Sequence, residues 1–145
     1  MKLLFILALA LPLWAQAPLR VLFVGNSYTY VNDLPGMFTR LAAAGKPAVK
    51  VETQSIVVGG ATLRMHINSG AVTKALAASH WDYVVLQEQS HLGVASLADV
   101  EPFQASAREL DAAIKKAGAK TVFYLTWSVK PVPEEQADLD RKSVV

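Results

Sequence analysis

Four short apolar runs, each stopped by glycine or polar residues and separated by segments with helical spacing, restrict this chain to a fold of alternating strands and helices. The first run is Val21-Leu22-Phe23-Val24, closed by Gly25-Asn26. The second takes in Val49, Val51 and Ile56-Val57-Val58 and ends at Gly59-Gly60, the third is Tyr83 to Leu86, and the fourth is Thr121 to Leu125. Strands that lack a polar face are those buried on both sides, as in parallel sheets covered by helices. Between the first two, Leu34, Met37, Phe38 and Leu41 recur at helical spacing. Asn32 or Asp33 can cap that helix, Pro35 suits its first turn and Gly45 its end. A second helix is predicted over about Leu63 to Ala78. Ser96 with Asp99 forms a capping-box pattern ahead of Val100, Phe103, Ala107, Leu110 and Ile114, one face of a long helix that Gly118 ends. Pro133 to about Lys142 reads as the start of another helix. The pattern predicts an α/β layer fold around a mostly parallel sheet.

The N-terminus has a different grammar. Lys2 is followed by an apolar run from Leu3 to Trp14 and by the small residues around Ala15-Gln16-Ala17. This is the layout of a secretory signal peptide, too short to span a bilayer, with cleavage after Ala15 or Ala17. The expected organisation is a leader over 1–17 and one domain over 18–145, secreted or periplasmic, with no stable membrane insertion once the leader is removed. Lys2 is the leader's only charged residue, so the net charge of +2 shrinks without it. Lys115, Lys116 and Lys120 form the one basic cluster, at a helix end where cations complement the dipole. No basic stripe with interleaved aromatics exists, so no nucleic-acid partner is expected. The chain has no cysteine, which excludes disulfides, thiol nucleophiles and cysteine-based zinc sites.

In open α/β sheets ligands bind outside the carboxyl ends of the strands. The loops there carry Gly25-Asn26-Ser27, Gly59-Gly60-Ala61-Thr62, Gln87-Glu88-Gln89-Ser90 and Thr126-Trp127-Ser128. A serine just past a strand, ahead of a capped helix, can expose its hydroxyl while its own N–H faces the same point, which joins nucleophile and oxyanion donor in one residue. The same three residues also suit an ordinary turn, with Asn26 tolerating unusual backbone angles. Gly60 can bring a second N–H close to a developing oxyanion, with Gly59 supplying the turn. Side-chain amides in the Gln87 to Ser90 stretch can donate to an oxyanion or a substrate carbonyl, or simply end the strand.

Taken together, these blocks resemble those of the SGNH (GDSL-like) hydrolases. Gly25-Asn26-Ser27 stands where that family has Gly-Asp-Ser, and Gly60 at the glycine of its second block. In the third block, usually Gly-x-Asn-Asp, Gln87 replaces the glycine, Gln89 the asparagine and Ser90 the aspartate. A bacterial branch with a Gly-Asn-Ser first block and a Leu-Gln-x-x-Ser third block is similar over Leu19 to about Pro131. The resemblance implies a three-layer, flavodoxin-like α/β fold and a serine esterase, with carbohydrate O-acyl groups as one substrate class. It implies Ser27 as nucleophile, and the N–H groups of Ser27 and Gly60 with the Gln89 amide as oxyanion hole, Gln87 being the fallback donor. Asn26, Gln87, His66, His91 and Trp127 are expected to line the substrate. Trp127, Tyr28 and Tyr30 suit either sugar stacking or packing. No metal or organic cofactor is expected, and the partner is a small-molecule or carbohydrate ester.

The family's general base is a histidine three residues after an aspartate, near the end of the domain. No Asp-x-x-His occurs, and the histidines are His66, His80 and His91. The expectation is a C-terminally incomplete copy lacking the last strand and helix, which leaves Val122 to Leu125 as an open edge. The competing reading is an inactive ligand- or carbohydrate-binding remnant. A nucleotide-binding or receiver domain needs a phosphate loop or an acidic cluster after the first strand, and neither is present.

Overall fold

The computed structural model describes residues 17–89 and 97–126. Residues 1–16, which carry nearly all of the expected leader, and Ser90, His91, Ser96 and everything from Trp127 onward lie outside the described residues. The elements run β1 (Leu19–Gly25), α1 (Ser27–Tyr30), α2 (Leu34–Ala44), β2 (Val51–Val57), α3 (Leu63–Ser69), α4 (Ala71–Ala78), β3 (Tyr83–Leu86), α5 (Leu97–Lys116) and β4 (Lys120–Phe123). The strands form one sheet in the order β2-β1-β3-β4, every pair parallel. The chain therefore steps from β1 to one side and returns to the other, and the crevice between the ends of β1 and β3 is the switch point at which such sheets bind ligands.

β1 is central because its side chains are apolar on both faces. Leu22 and Val24 join Val84, Leu86 and the α3, α4 and α5 residues Leu63, Val72, Phe103, Ala107, Leu110 and Ile114 in the main core. Val21 and Phe23 point the other way and form a smaller core with Val51, against which Leu34 and Ala42 of α2 pack. The result is three layers, with the predicted core stripe of α5 buried from Phe103 to Ile114. Among the described residues β2 is at an edge of the sheet, and it carries the polar run Glu52 to Ser55. Among the described residues β4 is the opposite edge; it ends at Phe123 rather than at the expected Leu125, with Val122 in the strand 41% and Leu125 beyond it 45% exposed.

Three local expectations are corrected. The helix predicted over Leu63 to Ala78 is two helices, because Gly70 adopts φ +67 between α3 and α4, a left-handed conformation that ends one helix and that glycine accepts at no steric cost. The apolar face of α2 is narrower than its sequence suggests: Leu34, Phe38 and Ala42 lie toward the sheet, with Phe38 edge-on to Phe23 at 6.1 Å, while Leu41 is 73% exposed. The one-turn helix α1, too short for a periodicity to reveal, follows β1 directly. The expected caps at Asp33 and Gly118 hold, Asp33 accepting from Gly36 N–H and Gly118 closing α5 at φ +82.

These packing differences set stability. Leu22→Ala, at a fully buried position, is expected to cost about 2–5 kcal/mol in urea unfolding. Leu41→Ala is expected to cost less than about 0.5 kcal/mol. Equal costs would contradict the asymmetry of the α2 face.

Candidate active site

Beyond the carboxyl end of β1 the backbone turns into α1 at Asn26, whose Oδ1 accepts from Tyr28 N–H at 3.2 Å. Ser27 is the first residue of that helix and is half-buried. It lines a groove of about 480 Å³ with Tyr28, Val31, Leu34, Met37 and Tyr124 among its neighbours. Among the described residues no group accepts from the Ser27 hydroxyl or its N–H, so both remain available to a ligand.

The loop is held from behind by a knot of buried hydrogen bonds. Gln87, at the end of β3 and with no exposed surface, uses its whole amide. Its Oε1 accepts from Asn26 N–H at 2.9 Å and from the Thr29 hydroxyl at 2.9 Å. Its Nε2 donates to Asn26 Oδ1 at 2.9 Å and to Glu88 O at 2.7 Å. Asn26 Nδ2 in turn donates to Ala61 O at 3.1 Å, which ties in the loop after β2. Gly25 has to be glycine here: a Cβ would stand 2.6 Å from both Gln87 Oε1 and Thr29 Oγ1. Its carbonyl accepts from Val58 N–H at 3.2 Å and faces His66 Nε2 at 2.9 Å. Glu88, also buried, accepts through Oε1 from Leu63 N–H at 3.2 Å and Gln89 N–H at 2.6 Å. Three strand-end loops are thus joined by hydrogen bonds, and buried polar groups so paired avoid the cost of desolvation without a partner.

This geometry redistributes the residues singled out in the sequence. Ser27 faces the groove. Asn26 and Gln87 do not line it; they are 3% and 0% exposed, and their polar atoms are committed to the protein. His66 is also turned inward, at 2% exposure. A carbonyl oxygen carries no proton, so the imidazole must donate from Nε2 to Gly25 O, which fixes its tautomer. Burial holds its pKa below the ordinary 6.5, and the Gly25 bond only partly offsets this. His80 is exposed and sits 3.6 Å from Asp82, at the amino-terminal end of β3 and the far end of the sheet from Ser27. His91 and Trp127 lie outside the described residues.

In the loop after β2 the left-handed residue is Gly60, at φ +69, rather than Gly59. Gly59 instead faces the Tyr30 hydroxyl, which a Cβ there would meet at 3.3 Å. Gln89 is half-buried next to the Glu88 carboxylate. Sequence reasoning missed Thr29, whose hydroxyl completes the knot, and Tyr124, which borders the Ser27 groove. Burial, and secondarily the neighbouring Tyr28, push the Tyr124 phenol pKa up, so it stands in the groove as a neutral hydrogen-bonding group. Among the described residues no cluster of three His, Asp or Glu could hold a metal, and no helix is long and apolar enough to cross a membrane.

A parallel sheet between two helical layers, with a serine turn at its switch point braced by the neighbouring strand ends, defines a flavodoxin-like α/β scaffold. Known structures bear this out. An SGNH hydrolase from Slackia heliotrinireducens matches with a TM-score of 0.72 and 31% identity, over 87% of this chain and 72% of its own. The chain belongs to the SGNH hydrolase family. An acetylxylan esterase from Geobacillus stearothermophilus shares the fold with a TM-score of 0.58 at 16% identity, over 85% of this chain and 67% of its own. No family model and no curated protein matches the sequence.

The buried His66 gives a stability signature. Below pH 6.5 the unfolded chain takes up a proton that the folded His66 resists. The contribution of the neutral imidazole is therefore complete above that pH and is lost as pH falls toward the lowered folded value. Urea unfolding followed from about pH 7.5 to pH 5 is expected to show this loss, with a limiting slope of about 1.4 kcal/mol per pH unit for one proton. His66→Gln, which does not titrate, is expected to flatten that part of the profile. An unchanged profile in the variant would contradict the buried, neutral imidazole.

Proposed function

We propose that this chain is an exported ester hydrolase that forms an acyl-enzyme on Ser27. The observation that carries the reading is the position of Ser27, on the first turn of α1 past the central strand, facing a groove while the buried knot fixes the turn behind it. In the proposed reaction Ser27 Oγ attacks the ester carbonyl carbon as its proton passes to a base. The carbonyl oxygen becomes an oxyanion held by the N–H groups of Ser27 and Gly60 and the side-chain amide of Gln89. Collapse of the intermediate breaks the bond to the leaving oxygen, which takes that proton from the base and departs as the alcohol. Water then attacks acyl-Ser27, releasing the carboxylic acid and restoring the serine hydroxyl. Ser27 N–H, at the start of a helix, suits the donor role because no residue preceding it lies in position to accept from it.

The proposed substrates are O-acylated small molecules or carbohydrates. The acetylxylan esterase that shares the fold supports acetyl esters of sugars as one class. Export rests on the leader, with Lys2, the apolar Leu3 to Trp14 run and Ala15-Gln16-Ala17. A second reading, a cleft that binds ligand without hydrolysing it, is favoured by the two histidines among the described residues: His66 is committed to Gly25 O, and His80 lies at the other end of the sheet.

A fluorophosphonate probe separates the two. The hydrolase reading expects folded wild type to be labelled on Ser27 and Ser27→Ala to be unlabelled. A folded wild type that takes no label supports the binding cleft instead.

A further inference from the structure

The geometry points to Gln87 as the positioning residue of the Ser27 turn: a buried amide that sets the nucleophile's backbone from the neighbouring strand without touching substrate. This inference rests on Ser27 being the nucleophile. Gln87 grips the turn on both sides of the serine, through Asn26 N–H and Oδ1 before it and the Thr29 hydroxyl after it. The direction of Ser27 Oγ and of Ser27 N–H follows from the backbone between those two residues. Four hydrogen bonds exhaust the donors and acceptors of one side-chain amide, so Gln87 has nothing left for an oxyanion. Its backbone is also anchored to β1, since Gln87 N–H donates to Val24 O at 2.9 Å, which keeps its side chain level with the turn.

The pattern of donors and acceptors is specific. The two groups that meet Oε1 are both donors, and the two that meet Nε2 are both acceptors. Methionine at this position keeps the length and loses all four bonds. Glutamate keeps the two accepted bonds but, when ionised, turns oxygen toward Asn26 Oδ1 and Glu88 O. When protonated it regains one donor, so Gln87→Glu should recover as pH falls and Gln87→Met should not. The close approach of Gly25 to this side chain, 2.6 Å from a notional Cβ to Oε1, leaves little room for the amide to be replaced by a displaced backbone.

The test compares fluorophosphonate labelling rates at Ser27 in wild type, Gln87→Met and Gln87→Glu, with folding of each followed by circular dichroism. A small misplacement of a reacting group costs on the order of 100-fold in rate, so labelling of folded Gln87→Met is expected to fall by about 10-fold to 100-fold. The ratio of Gln87→Glu to wild type is expected to rise as pH falls below about 6, while that of Gln87→Met stays flat. Wild-type rates in folded Gln87→Met, or a Gln87→Glu ratio independent of pH, overturn the assignment. If Gln87→Met does not fold, the Gln87→Glu series decides. If wild type itself takes no label, the nucleophile reading has failed, and amide hydrogen exchange at Asn26 and Tyr28 still reads the positioning. Exchange at least 10-fold faster in Gln87→Glu than in wild type supports it, and equal exchange overturns it.

Discussion

The contact between the Asn26 and Gln87 amides is the constraint on which the site depends. It joins the ends of β1 and β3, residues 61 apart in sequence, through Asn26 N–H to Gln87 Oε1 and Gln87 Nε2 to Asn26 Oδ1. Parallel pairing brings those strand ends together in register, with Val24 opposite Leu86. The sheet therefore supplies the approach and the amides supply the lock. Because both side chains are buried, breaking one partner leaves the other unsatisfied in a poorly solvated place, a cost of about 1–3 kcal/mol per group. Thr29, Ala61 and Glu88 extend the lock to α1, the loop after β2 and the start of α3.

The lock also gives a physical meaning to one departure from the family's pattern. Asn26 stands where the SGNH blocks carry aspartate. Its Nδ2 donates to Ala61 O, a bond that an ionised carboxylate cannot make, because it would set oxygen against oxygen in a buried place. Asparagine supplies a donor and an acceptor on one short side chain, and this site uses both. Gln87, where the family has glycine, fills the space beside Gly25 and meets that acceptor.

Much of the fold was legible because it follows from solvent exclusion. The apolar runs at β1 and β3 and the Phe103, Ala107, Leu110, Ile114 stripe can be buried in few other ways. Gly70 was harder to read, since a glycine inside a helical pattern is compatible with both a continuous helix and a break, and only packing of α3 and α4 decides. Leu41 misled for a related reason: α2 covers a narrow part of the sheet near an edge, so an apolar residue on its flank stays exposed. At the site, the place of Ser27, on a turn past β1 and ahead of a capped helix, was legible from the local sequence. The inward commitment of Asn26, Gln87 and His66 was not, because each is settled by a partner distant in sequence. A polar residue at a strand end looks the same in sequence whether it faces a substrate or a neighbouring carbonyl.

The central claim is that the braced turn presents Ser27 as an acyl acceptor, and acid-quench mass spectrometry tests it most directly. Wild type mixed with an activated acetyl ester and quenched in acid is expected to carry one acetyl group, on the peptide that contains Ser27. An ester turned over with no adduct on Ser27, or with the adduct on another residue, would contradict the account.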